Sequence, residues 1–246
     1  MALRRAILGN PDVLSSTGWY QMLQNDFWGT PLTDSGSHGS YRPLAVASFK
    51  LNHLLDGFKP LGYHLGNVLL HCLATALVLR LGRHLIPSRT GAAIAGLLFA
   101  AHPVHTEAVA GVVGRADLTA CVFYLLAVLA YIRHIQWRHQ TDLRHWPALG
   151  LTVLAAAAAV LCKETAVTAL VVCAIYDIIK GYAGCRDKME KTRKRSPPSH
   201  GASWSAHPTR SPEAGTPRPH LCAAPPERTG ISGILRPYPM NVRLKS

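Results

Sequence analysis

Five apolar runs, at residues 61–81, 91–101, 118–132, 147–161 and 165–179, follow one another through the middle of the chain and restrict it to packed helices. The first is long enough to cross a hydrocarbon core, which takes about 20 residues of helix. The others reach that length by borrowing neighbours from their flanks, and the fourth and fifth are divided only by Cys162, Lys163 and Glu164. The connections alternate in charge. Arg80, Arg83 and Arg89 separate the first two runs, Arg133, Arg138 and Arg144 the third and fourth, and Lys180, Arg186 and Lys188 follow the fifth. The intervening connections carry only Arg115 and Lys163. Positive charge collects on the cytosolic side of membrane proteins. The expected fold is therefore an all-α, polytopic membrane helical bundle of about five spans over 61–180. Residues 1–60, the 102–117 block and the Lys163-Glu164 turn then lie together on the opposite, luminal face. The competing reading is a soluble helical protein whose apolar runs are core helices.

Composition favours the membrane. Charged residues make up 16% of the chain, against about 25% in soluble domains. Half of the 26 basic residues fall in residues 180–246, so the excess positive charge belongs to one segment and not to a folded face. That argues against a nucleic-acid partner. Cys72, Cys121, Cys162 and Cys173 lie in or beside apolar runs with neither zinc nor disulfide spacing, and read as small packing residues. No Asn-x-Ser/Thr acceptor occurs, and the first ten residues lack the apolar stretch of a cleavable signal peptide.

Residues 1–60 form the expected luminal loop. Within it, residues 43–58 place Leu44, Ala47, Leu51, Leu54, Leu55 and Phe58 on one stripe, with Lys50, His53 and Asp56 off it. Pro43 suits the first turn of a helix lying in the membrane interface, although an ordinary amphipathic loop helix has the same pattern. From residue 181 the chain is expected to be a disordered, basic, proline-rich tail, its basic run serving as a stop-transfer flank or meeting anionic headgroups.

Ionisable groups beside a hydrocarbon slab are costly, which makes them candidates for function. The richest cluster is His102-Pro-Val-His-Thr-Glu-Ala-Val-Ala-Gly-Val-Val-Gly-Arg-Ala-Asp117. Pro103 predicts a helix start, with Glu107 near its positive end. Glu107, Gly111 and Gly114 then share one face that a helix or a lipid-linked ligand can approach closely. Arg115 is placed to pair a phosphate in bidentate fashion, with Asp117 orienting it. A purely structural alternative pairs Glu107 and Arg115 with neighbouring helices. His102 and His105 lack the His-Glu-x-x-His spacing of a zincin, so no metal is assigned. In the first run His64, Asn67, His71 and Thr75 form a polar stripe expected to face the bundle interior, for interhelical bonding or substrate contact. Lys163 and Glu164 offer either a point charge for a lipid phosphate or an interfacial ion pair.

Beyond these residues, the sequence resembles the transmembrane and tetratricopeptide-repeat-containing (TMTC) family of protein O-mannosyltransferases. The matching strings are Arg5-Ala-Ile-Leu-Gly-Asn-Pro-Asp12, Asn25-Asp-Phe-Trp-Gly-Thr-Pro31, Ser40-Tyr-Arg-Pro-Leu44, Tyr63-His-Leu-Gly-Asn-Val-Leu-Leu-His71, the 102–117 block and Cys162-Lys-Glu164. They run in order over about three quarters of the chain. The resemblance implies a partial GT-C-type fold, multi-pass in the endoplasmic reticulum membrane. It also implies transfer of mannose from dolichyl-phosphate-mannose to Ser or Thr of cadherin-type acceptor proteins. No cofactor is implied in the chain; the partners are membrane lipid, the dolichol-linked donor and the acceptor. By this resemblance Arg115 and Lys163 are the phosphate candidates, joined by His102, His105, Asp117 and Glu164, with Glu107 orienting or handling a proton.

The family pattern places a span and an acidic pair ahead of the Arg-Ala-Ile-Leu string, where this sequence has Met1-Ala-Leu-Arg-Arg5, and the match ends near Tyr182. The expectation is a truncated form, inactive for want of the acidic pair. The alternatives are a non-catalytic scaffold or a fragment that assembles with full-length partners. A transporter is a third reading, suggested by His64, Asn67 and His71.

Overall fold

A computed structural model describes residues 4–14, 18–139 and 143–195. Among these residues the regular structure is helical. The helices are α1 (Pro43–Asp56), α2 (Pro60–Leu85), α3 (Arg89–Ala101), α4 (His105–Ala110), α5 (Arg115–His139), α6 (His145–Cys162) and α7 (Thr168–Arg195). Local chemistry sets their ends. Pro43 and Pro60 occupy the first turns of α1 and α2, where a missing N–H costs nothing. Ser88 caps α3 by accepting the Gly91 N–H at 3.2 Å. Gly57, at φ +61°, closes α1 in a conformation that a side chain would strain.

The chain divides into two compact units, Met1–Tyr176 and Asp177–Ser246. In the first, α5 packs most extensively against α6, and α2 against α3 and α5. Three helical stretches, Pro60–Leu85, Val112–Arg138 and His145–Cys162, are long and apolar enough to cross a membrane. The α3 helix is apolar but shorter, at 13 residues. The Val112–Arg138 stretch is the central one: 61% of its apolar window is buried, against 22% in α2 and 33% in α6. Its contact with α6 is built from Ala120, Ala127, Ala155, Ala156 and Ala159. Small side chains let helix backbones approach closely where lipid offers no hydrophobic drive to associate. Cys162 and Cys173 are buried and Cys121 half-buried, while Cys72 is exposed on α2.

In the second unit the described residues continue α7 through Arg195. Residues 181–195, expected to be disordered, are thus helical, as their Lys, Arg, Glu and Met content allows in the absence of proline before Pro197. The proline-rich stretch 197–226 lies outside the described residues.

The segment before α1 is held by polar knots. Asp26, nearly fully buried, accepts the Trp28 and Thr30 N–H groups at 2.9 and 3.0 Å, the Ser37 hydroxyl at 2.9 Å and the His38 N–H at 3.1 Å. Burial alone would raise its pKa, but these donors together hold it below the usual value of 3.8. The Asp12 carboxylate accepts both bonds from Asn25 Nδ2, and the buried Lys50 ammonium donates to the Asp12 carbonyl at 3.1 Å. Residues Ala45, Val46 and Phe49 of α1 face this core. The stripe of Leu44, Leu51, Leu54, Leu55 and Phe58 points outward, exposed.

Arg115 ties the loop to the helices. Its side chain is 3% exposed at the start of α5. Nε donates to Asn67 Oδ1 at 2.9 Å, Nη1 to Asn52 Oδ1 at 3.0 Å and the Ser48 carbonyl at 3.3 Å, and Nη2 to the Tyr63 carbonyl at 2.6 Å. The Phe49 and Tyr63 rings flank the guanidinium, 5.2 and 5.4 Å from its carbon. Gly66 makes room: a Cβ there would sit 2.9 Å from Nη2. Arg115→Gln should cost about 3 kcal/mol, because buried acceptors lose their donors. Arg115→Lys should recover only part of that, since an ammonium cannot span the fork. Thermal unfolding of the detergent-solubilised chain measures both; equal stability of all three proteins would remove Arg115 from this role.

Candidate functional site

The 102–117 block does not form one helix. α4 ends at Ala110, Gly111 takes an extended conformation, and a single 3₁₀ turn, Val112–Gly114, leads into α5. The expected common face of Glu107, Gly111 and Gly114 is therefore absent, because the helical period is interrupted at Gly111. The glycines serve the fold-back instead. A Cβ on Gly114 would lie 2.5 Å from the Ala108 backbone, so the turn returns against α4 at backbone contact distance. Asn67 seals the corner by donating to the Gly111 and Val109 carbonyls at 3.0 and 3.3 Å.

This fold-back forms one wall of a cleft of about 800 Å³. Its lining includes Arg42, His105, Glu107, Gly111, Gly114 and Asp117. The Lys163-Glu164 turn adjoins it through two ion pairs. The Lys163 ammonium bonds the Asp117 carboxylate. Arg42 grips Glu164 with two bonds, Nε to Oε2 at 3.0 Å and Nη2 to Oε1 at 2.7 Å. The two polar clusters that the sequence puts on one face thus meet, with Asp117 bound to Lys163 and not orienting Arg115. The exposed carboxylate of Glu107 has no hydrogen-bond partner among the described residues.

Arg115 turns its donors into the protein, as in the purely structural alternative read from sequence and not as a phosphate partner. His102 turns back on its own chain, Nδ1 accepting the Val104 N–H at 3.1 Å. His105 packs against Phe99, His71 and His102, with ring centroids 4.4, 5.4 and 5.8 Å away. Burial, reinforced by the His71 and His102 imidazoles, lowers the His105 pKa below 6.5, which keeps it neutral at neutral pH. His71 Nε2 donates to the Ala100 carbonyl at 3.1 Å. Among the described residues, His71 Nδ1 and Thr75 Oγ1 are buried without a hydrogen-bond partner. The polar stripe of α2 therefore faces inward at Asn67, His71 and Thr75, while His64 is exposed. No group of three or more His, Cys, Asp or Glu residues among those described is placed to hold a metal.

Arg42 is the residue that sequence reasoning passed over. It lay within the matching Ser40-Tyr-Arg-Pro-Leu44 string, directly before the helix-starting Pro43, and that position was the available signal.

Residues 40–191 match the dolichyl-phosphate-mannose-protein mannosyltransferase family. The chain is 61% identical over 194 residues to the protein O-mannosyl-transferase Tmtc2 of Drosophila melanogaster, covering 78% of this chain. The chain belongs to the TMTC family of protein O-mannosyl-transferases. It is also 59% identical over 72% of its length to Drosophila Tmtc1, and 49% identical over 71% to human TMTC2. It spans about a fifth of the length of these relatives: 20%, 20% and 21% respectively. No solved structure matches it. The family match spans the whole cleft lining, from Arg42 to Asp117, and the Lys163-Glu164 turn.

The Arg42–Glu164 grip gives this site an acid limit. Two bonds from Arg42 hold the Glu164 carboxyl down to a pKa of about 2, from 4.5. A depressed carboxylate pKa contributes stability above the unfolded value that is lost as pH falls through the folded one. Attachment of the Arg42 segment to the α6–α7 turn should therefore weaken between pH 4.5 and about 2. The labelled Glu164 side-chain carboxyl, followed by NMR, should titrate in that window and return to the ordinary carboxylate range in Arg42→Gln. Titration near 4.5 in the unaltered chain, or titration unmoved by the substitution, would refute this coupling.

Proposed function

We propose that this chain carries the donor-binding and proton-handling face of a mannosyltransferase site, which moves mannose from dolichyl-phosphate-mannose to Ser or Thr hydroxyls of secretory-pathway proteins. Family membership supports the chemistry. The lining of one cleft by Arg42, Glu107 and Asp117, with Lys163 paired to Asp117, supports the reading. Transfer requires a bond from the acceptor oxygen to the mannosyl carbon, departure of the lipid phosphate, and removal of the hydroxyl proton. Glu107, an uncommitted carboxylate at the cleft wall, takes that proton. Lys163, at the neighbouring turn, meets the departing phosphate as a point charge. His105 stays neutral and lines the cleft without competing for the phosphate. Arg115 acts through others: it fixes α1 and α2 against the start of α5, and so the position of Asp117 two residues on.

The site belongs, on this reading, to the luminal face of the endoplasmic reticulum membrane, and the acceptors are cadherin-type ectodomains. The alternating basic connections support that orientation.

The test is made in a full-length relative such as Drosophila Tmtc2, given dolichyl-phosphate-mannose and a Ser/Thr-containing acceptor domain, with mannosyl transfer read by mass spectrometry. Replacing the residue that aligns with Glu107 by Gln should lower the rate by about a hundredfold or more, the usual contribution of a positioned base. Undiminished transfer would overturn the base.

A further inference from the structure

Both ion pairs at the cleft share an asymmetry. Arg42 is 19% exposed and its partner Glu164 57%; Lys163 is 27% exposed and its partner Asp117 46%. In each pair the cation is the sheltered member and the carboxylate the exposed one. Arg42 is further held by the Phe27 ring, 5.5 Å from its guanidinium carbon, and by its place directly before Pro43. Phe27 is itself 1% exposed. Arg42 is thus a fixed cation facing a cleft, while its carboxylate partner stands at the rim of a short turn.

A partly exposed ion pair contributes little net free energy, about 0–1 kcal/mol, so exchanging its anion is cheap. A phosphate presents the same two-oxygen edge as a carboxylate to the guanidinium fork, with equal charge in the diester of the donor and more in the monoester of the released lipid phosphate. We infer that Arg42 is a second phosphate-binding cation of this cleft, and that Glu164 is a resident stand-in which the incoming phosphate displaces. Asp117 holds Lys163 in the same manner. Each carboxylate offsets the charge of its cation while the cleft is empty and yields it on ligand entry, Arg42 staying in place through Phe27 and the helix start at Pro43. The inference rests on the donor reading above in taking an isoprenyl phosphate as the displacing ligand. It adds a cation that sequence reasoning did not select, and an exchange step that makes the site self-blocking.

The test is ligand binding by the full chain in lipid nanodiscs, with dolichyl phosphate, uncharged dolichol and inorganic phosphate as probes. Dolichyl phosphate should bind more tightly than dolichol. Arg42→Gln should weaken it about tenfold or more, the scale of one charge-assisted contact, with Arg42→Lys falling between. Glu164→Gln should tighten it a few-fold, because no carboxylate then competes. That opposite sign separates exchange from mere structural support, since both substitutions break the same ion pair. Unchanged melting of the Lys variant shows that the weakened binding is not unfolding. Dolichyl phosphate binding that ignores Arg42→Gln, or that weakens in Glu164→Gln, overturns the inference and leaves the donor reading standing. Inorganic phosphate binding that depends on Arg42, without dolichyl phosphate binding, supports the anion site and overturns the donor reading. No binding of either phosphate overturns both.

Discussion

A buried guanidinium governs how this chain assembles its polar face. Arg115 collects acceptors from α1 and α2 while its own backbone opens α5. An ionised group so buried carries a desolvation penalty of several kcal/mol, which only near-complete hydrogen bonding offsets. The fork geometry explains why arginine stands here: carbonyls of Ser48 and Tyr63 and amide oxygens of Asn52 and Asn67 lie in directions that one ammonium could not serve together. Gly66 belongs to the same arrangement, since any side chain there would occupy the guanidinium's space. Asn67 then carries the constraint onward. Its oxygen accepts from Arg115 and its nitrogen donates to the carbonyls around Gly111, so the clamp also sets the fold-back that walls the cleft.

The cleft's charges follow a different logic from the clamp's. Arg115 is buried and committed, whereas Arg42 and Lys163 are partly exposed and held by carboxylates that stand in water. Solvated pairs contribute little stability, so Arg42–Glu164 and Lys163–Asp117 serve better as orientation than as staples. They hold one cation, Arg42, at the cleft wall and tie Lys163 to a second lining residue, Asp117. Glu107 lines the same cleft outside either pair.

Sequence patterns made the helical class legible because apolar runs and alternating basic connections are one-dimensional signals. Pro43 and Pro60 likewise mark helix starts through local sterics alone. The meeting of the 102–117 block with Lys163 and Glu164 was foreshadowed by charge alternation, which put both on one face. What escaped was tertiary. The break at Gly111 depends on a backbone contact with Ala108 that no helical wheel contains, so Glu107, Gly111 and Gly114 were placed on a face that does not exist. The choice between a phosphate partner and a structural clamp for Arg115 stays open in sequence, because burial of a cation is decided by acceptors some 50 to 70 residues away. His64 shares a period with Asn67 and His71, yet the packed arc of α2 is too narrow to include it.

The two faces of α1 show how the loop and the membrane-crossing helices come to act together. Val46, Phe49 and Lys50 face inward, and the lysine is admitted only because the Asp12 and Leu14 carbonyls receive its ammonium. Leu44, Leu51, Leu54, Leu55 and Phe58 face outward, and Leu61, Leu65 and Leu69 at the start of α2 are exposed as well. An exposed apolar stripe on a loop helix, next to the exposed face of an apolar helix, is favourable where hydrocarbon or the headgroup boundary covers both. From the same helix Ser48 and Asn52 reach the Arg115 clamp. Arg42 directly precedes Pro43 and lines the cleft, so the packing that seats α1 against the Arg115 clamp also sets the place of this cation.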